Sequence, residues 1–187
     1  MRAVQAAGGK TLTGRRQLGL LLGIATFVLA VDIVSKAMVT AHIREYSEIH
    51  LIGNVLMLTD QRNGGAAFSL GGPSMTIVFT AIAVGVVTYI LRAARKLRSL
   101  GWAVALGLLL GGATGNLVDR IFRAPGLFRG EVVDWIMVTR FYPVFNLADS
   151  AICCGGVLIA LLALRGIRLD GTRVMHADAD GDEELDR

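Results

Sequence analysis

The sequence predicts a membrane protein with an all-α core: four transmembrane helices, with short strands in the two loops on one side. Three observations predict it. Four apolar stretches each approach the ~20 residues that a helix needs to cross ~30 Å of hydrocarbon. Hydrophobic residues make up 53% of the chain and charged residues 18%, whereas a soluble domain of this size needs more charge to cover its surface. The lysines and arginines fall in short clusters beside the apolar stretches instead of forming a basic face, so nucleic-acid binding is not expected.

The 187 residues suit one unit: an N-terminal segment 1–17, a four-span domain 18–164 and a tail 165–187. The spans are expected at 18–39, 73–91, 101–118 and 146–164. The first carries Asp32 and Lys36, outruns the 7–15-residue core of a signal peptide and lacks a cleavage site, so it reads as an anchor. Pro73 suits the first turn of the second helix, where its missing N–H costs nothing. Gly107, Gly111 and Gly115 recur every fourth residue along the third span, and Gly155 and Gly156 lie in the fourth; small residues let helix backbones approach closely in lipid. Cys153 and Cys154, adjacent in the fourth span, have no metal-ligand spacing and are expected to be small packing residues.

Between the first two spans, 49–58 is apolar with β-favouring residues, and Asn63-Gly64-Gly65 follows; short strands ending in a tight turn there are expected. The loop 121–145 offers a further short strand at 131–135, and its Trp135, Phe141 and Tyr142 suit a lipid–water interface. Orientation follows from the cations. Arg2, Lys10, Arg15 and Arg16, then Arg92, Arg95, Lys96 and Arg98, then Arg165, Arg168, Arg173 and Arg187 share one side. The other side holds half as many: Arg44, Arg62, Arg120, Arg123, Arg129 and Arg140. The positive-inside rule places both termini in the cytoplasm and the two longer loops outside. The acidic end after Asp178 reads as solvated and disordered.

Charges within a span are costly and need a partner or a purpose. Asp32 lies about 21 Å along the first helix from residue 18, Asp119 ends the outward-running third helix, and Asp149 opens the fourth. The topology therefore brings three carboxylates to a similar depth near the outer surface. Asp32 and Lys36 are four apart, acid before base, the favourable order for an ion pair that fixes the helix; alternatively they orient other polar groups or touch substrate. Asp119 and Asp149 are assigned no cation three or four positions away, and Arg120 would point about 100° from Asp119. Two facing carboxylates with few cations nearby cannot both ionise easily, and one shared proton then supplies a general base for water and a general acid for a leaving amine. The other reading is that each acid caps a helix or meets a loop arginine, and the helix dipole favours this for Asp149. On topology alone the two readings balance.

The residues around these acids resemble lipoprotein signal peptidases, the signal peptidase II family. Gly111-Gly112-Ala113-Thr114-Gly115-Asn116-Leu117-Val118-Asp119-Arg120 is similar to the family's G-G-x-x-G-N-x-x-D-R segment. Phe145-Asn146-Leu147-Ala148-Asp149-Ser150-Ala151-Ile152 is similar to F-N-x-A-D-x-x-I. Asn63-Gly64-Gly65-Ala66-Ala67-Phe68-Ser69, the pair Asp32 and Lys36, and Val132-Val133-Asp134 resemble three further segments. The resemblance covers about 18–164. It implies an aspartic endopeptidase of the bacterial inner membrane that removes the signal peptide from diacylglyceryl-modified prolipoproteins. Cleavage would fall on the N-terminal side of the lipidated cysteine, with no metal, cofactor or covalent intermediate. It implies Asp119 and Asp149 as the catalytic pair, with Asn116, Asn146, Asn63, Arg120, Asp32 and Lys36 binding substrate or supporting the site. Asn116 and Asn146, each three residues before an aspartate, are placed on its helix face; the roles of Asp134 and Arg120 stay open. The outer loops would form a small extracytoplasmic β-cradle pairing with an extended peptide. Expected partners are lipidated signal peptides and membrane lipids, the chain acting as a monomer inhibited by the cyclic lipopeptide globomycin.

Two rival chemistries are weak. Ser35 and Lys36 are adjacent and diverge by about 100°, so they make a poor Ser–Lys pair, and His42, His50 and His176 form no H-E-x-x-H. The remaining alternative is a proton- or ion-coupled transporter using intramembrane carboxylates, for which four spans without an inverted repeat are few.

Overall fold

The computed structural model describes residues 2–65 and 73–173. Chain order is α1 (Arg2–His42), β1 (Glu48–Ile52), β2 (Leu56–Asn63), α2 (Pro73–Ala93), a 3-10 turn (Ala94–Lys96), α3 (Leu100–Phe122), β3 (Val132–Val138) and α4 (Leu147–Leu164). Each of the four helices is long and apolar enough to cross a membrane. The expected acidic tail beyond Arg173 and the Ala66–Ser69 part of the Asn63 motif lie outside the described residues.

α3 is the central helix: 56% of its span is buried, against at most 22% for the others. Its glycines explain this. A Cβ on Gly107 or Gly111 would meet the Leu21 or Ala25 carbonyl of α1 at 2.9 or 2.8 Å, and one on Gly115 would meet Asp32 Oδ2 at 2.5 Å. Gly112 faces the other way, onto the Ala148 carbonyl of α4, and Gly155 returns the contact against the Ala105 carbonyl. The expected small-residue seams are therefore two, one on each side of α3. Gly156 is not part of either; nothing lies within 4 Å of its missing side chain. Cys153 and Cys154 also depart from expectation. Both are exposed on the outer face of α4, because Ala151 and Gly155 occupy the inward positions.

Leu21, Ala25, Ile90, Leu97, Ala103 and Leu106 form the apolar core toward the start of α3. At the other end the three strands form one antiparallel sheet in the order β1-β2-β3, with Ile49 opposite Leu58 and Arg62 opposite Val133. A tight turn at Gly53–Val55 joins β1 to β2, with Gly53 at φ +49, a conformation that suits glycine; β2 runs on to Asn63, after which the chain bends at Gly64 and Gly65 as expected. The sheet sits on the bundle through Val39 and Ile43 of α1 packed on Val133, with Leu58 and Trp135 around them. Phe141 and Tyr142 are exposed at this end, as an interfacial rim requires, whereas Trp135 is partly buried.

Candidate active site

The acids of α1, α3 and α4 meet where the sheet joins the bundle, and Lys36 is the hub of one half of the cluster. Its Nζ lies 2.7 Å from Asp32 Oδ2 and 2.8 Å from Asp119 Oδ2, and donates to Asn116 Oδ1 at 3.0 Å. Asp32 and Lys36 are 0% and 1% exposed, so this charge is neutralised inside the protein and not by water. Asp32 also accepts from the Ala148 N–H at 3.0 Å, fastening α1 to the first turn of α4. Both sequence readings of this pair hold: the ion pair forms, and it orients groups on two other helices.

Asp119 differs from expectation. The third helix continues past it to Phe122, which brings Arg123, four residues on, onto the same face; the Arg123 Nε donates to Asp119 Oδ1. With Lys36 on its second oxygen and the Val133 N–H at 3.3 Å, Asp119 is fully occupied and ties α1, α3 and β3 together. The absence of a helix-neighbour cation, expected for both acids, therefore fails for Asp119.

Asp149 and a further acid, Asp134, make the other half. Among the described residues neither has an ion-pair partner. Asp149 accepts from Asn116 Nδ2 at 2.7 Å and from the Asn146 N–H at 3.2 Å. Asn146 is the N-cap of α4 and not a residue on its face: its Oδ1 accepts from the Asp149 N–H at 2.9 Å, completing a reciprocal capping box. Its Nδ2 is thereby aimed at Asp134 Oδ1, 2.6 Å away, and reaches Asn116 Oδ1 at 3.3 Å. Asp134 stands opposite Gln61 in the sheet, and its second oxygen accepts from Asn63 Nδ2 at 2.8 Å. The Asn63 Oδ1 accepts the Gly65 N–H at 3.0 Å, which fixes which way its amide faces. Asp134 is 3% exposed, and burial, reinforced by the nearby charge of Asp149, pushes its carboxyl up to about 7. Asp149 keeps partial exposure, so water reaches this half.

Arg120 lies between the halves. One Nη donates to the Asn116 carbonyl at 3.3 Å, while its buried Nε has no partner among the described residues. Ser35 donates to the Asp32 carbonyl at 2.9 Å. All eight site residues expected from the sequence thus belong to one connected network. Asp134 is the member whose role the sequence left open. The signal for it was an acid closing an apolar Val-Val pair in a strand, a placement as costly as an acid within a span.

The model of the family described as signal peptidase (SPase) II matches residues 24–165. A lipoprotein signal peptidase of Streptomyces coelicolor is 52% identical over 165 residues, 88% of this chain and 79% of the relative. One of Mycobacterium tuberculosis is 44% identical over 163 residues, 87% of this chain and 80% of the relative. A bacterial membrane enzyme solved by the in meso method at 2.3 Å resolution superposes with a TM-score of 0.70 at 28% identity, covering 90% of this chain and 94% of that one. The matched region takes in most of the first span, all of the other three and every residue of the acid–amide network, so the chain belongs to the signal peptidase II family and is a multi-pass bacterial membrane protein.

Proposed function

We propose that this chain is the endopeptidase that removes the signal peptide from diacylglyceryl-modified prolipoproteins, cutting on the N-terminal side of the lipidated cysteine through two aspartates that activate water. The observation that carries the mechanism is the contrast between the two halves of the acid cluster. Asp119 is held by two cations, whereas Asp134 and Asp149 are held by neutral amides and joined through Asn146. Two nearby carboxylates with no cation in contact with either, Arg120 acting on both from a distance, can share a proton, so one takes a proton from water while the other gives one to the scissile group. The requirement the sequence placed on Asp119 and Asp149 is met better by Asp134 and Asp149, and we assign the pair to these. Asn63, Asn116 and Asn146 then orient the carboxylates, Asp32, Lys36 and Asp119 brace the helices that carry them, and the free Nε of Arg120 is a donor for a substrate carbonyl. The second reading keeps Asp119 with Asp149, and the Lys36–Asn116 bridge that links them favours it.

The pair lies near the outer face of the membrane in a monomer with both termini in the cytoplasm. The acyl chains of the substrate stay in lipid while the scissile bond meets water, and the three-stranded sheet lies beside the peptide as a cradle. Cleavage of a lipidated precursor by purified protein in detergent tests this. Asp149→Asn and Asp134→Asn each lower the rate roughly a thousandfold or more, with the thermal midpoint held near that of the unaltered protein. Asp119→Asn lowers the midpoint as well. Full activity of Asp134→Asn moves the second acid to Asp119; full activity of Asp149→Asn removes the site from the reaction.

A further inference from the structure

At the end of the bundle remote from the acids, a groove of about 380 Å³ opens between α2, α3 and α4. Trp102, near the start of α3, marks this end; it is about 26 Å along the helix from Asp119. Val86, Tyr89, Trp102, Leu106, Leu109 and Ile159 line the groove, so its walls are apolar. It spans Gly85 to Ala93 on α2, about 12 Å along the axis. Ala93 and Leu169 also line it, and both belong to basic segments: Arg92, Arg95 and Lys96 beside the first, Arg165 and Arg168 beside the second, all exposed.

These two segments are held together. The N–H groups of Arg98 and Ser99 both donate to the Leu169 carbonyl, at 2.9 and 3.1 Å, and Trp102 Nε1 donates to the Ile167 carbonyl at 2.9 Å. Five exposed cations therefore lie in the two chain segments that close this end of the groove, while the residues lining it are uncharged. Within 92–99 and 165–173 the one acid is Asp170, whose Oδ1 is taken up by the N–H and hydroxyl of Thr172.

We propose that this groove is a binding site for an anionic phospholipid, one acyl chain lying between α2, α3 and α4 and the phosphate resting among Arg92, Arg95, Lys96 and Arg168. A basic mouth over an apolar slot between membrane helices fits an amphiphile with a negative head. A signal-peptide helix fits poorly, because its positively charged n-region would meet this collar. A second copy of the chain would bring a like-charged collar against it.

Gly85 gives a way to fill the slot without disturbing the fold, since nothing among the described residues lies within 4 Å of its missing side chain. Purified full-length protein in detergent, offered equal phosphatidylglycerol and phosphatidylcholine of the same acyl chains, is examined by native mass spectrometry. The protein retains phosphatidylglycerol over phosphatidylcholine by a factor on the order of ten. Arg95→Gln with Lys96→Gln brings the two lipids to parity, and Gly85→Phe lowers retention of both. Thermal midpoints in lipid-free detergent stay near that of the unaltered protein, which separates loss of the site from loss of the fold. Asp149→Asn leaves retention unchanged, so the outcome is separable from the protease reading. Equal retention of both lipids by the unaltered protein, or a preference that survives both substitutions, overturns the site. So does displacement of phosphatidylglycerol by an added signal peptide, which would make the groove a peptide site. A preference that emerges only once residues 174–187 are removed would give the collar to the acidic tail and overturn it too.

Discussion

Asp134 is where the chemistry of single residues has its most direct consequence. Its carboxyl sits at about 7 because it is buried and faces Asp149, while the amides of Asn63 and Asn146 pull the other way. A group with this value holds its proton in the folded protein below about pH 7 and in the unfolded chain only below about 4. The folded state thus binds the extra proton between these limits, and the stability it contributes is present in acid and lost as pH rises through 7. The loss is on the order of several kcal/mol. Thermal unfolding in detergent from pH 4 to 8 should show a falling midpoint that flattens in Asp134→Asn; parallel curves would remove Asp134 as the titrating group. If the same proton serves in cleavage, kcat/KM follows a bell whose alkaline limb lies near 7. A rate that is flat from pH 5 to 9 would contradict a shared proton. The residues on spans were legible because charge in lipid demands a reason. Arg123 was legible too, since it stands four positions from Asp119 and shares its face once the third helix runs on to Phe122.

At the scale of elements, α3 is built to be crowded on both sides. The every-fourth-residue glycines were readable from sequence as a site of close helix approach, and the structure puts α1 there. Which residue of a glycine pair faces the neighbour depends on helix rotation, which a run of apolar residues around the whole circumference does not encode. Hence Gly155 and Gly156 looked alike and are not. The difference gives a paired expectation. Gly111→Ala drives a methyl into Val28 and the Ala25 carbonyl, backbone that cannot move aside cheaply, and should cost about 1–3 kcal/mol. Gly156→Ala meets open space and should leave the midpoint unchanged. Equal midpoints for the two variants in one detergent would show that the α1–α3 seam is looser than described. The N-cap of α4 obeys the same logic. The helix dipole favours a capping role for Asp149, and the box with Asn146 supplies one: the cap holds the carboxylate still.

The whole molecule distributes its charges unevenly between its two ends. One end carries the acids, the sheet, and the exposed Phe141 and Tyr142; the other carries the basic turns around Arg95 and Arg168. No single element produces this; the sheet joins strands from two loops separated by two spans, and the acid–amide network exists only once α1, α3 and α4 have closed on it. The cation asymmetry that predicted the topology is one consequence of that separation, and it makes sidedness testable without activity. Cys153 and Cys154 are the chain's only cysteines and can be replaced by alanine, since both lie on the outer face of α4. In that background Phe141→Cys and Arg95→Cys place single thiols at opposite ends. A membrane-impermeant maleimide added to intact bacterial cells should label the first and spare the second until the membrane is opened. The reverse pattern would put the acid cluster on the cytoplasmic side, where a lipidated precursor emerging on the outer face could not present its scissile bond to it.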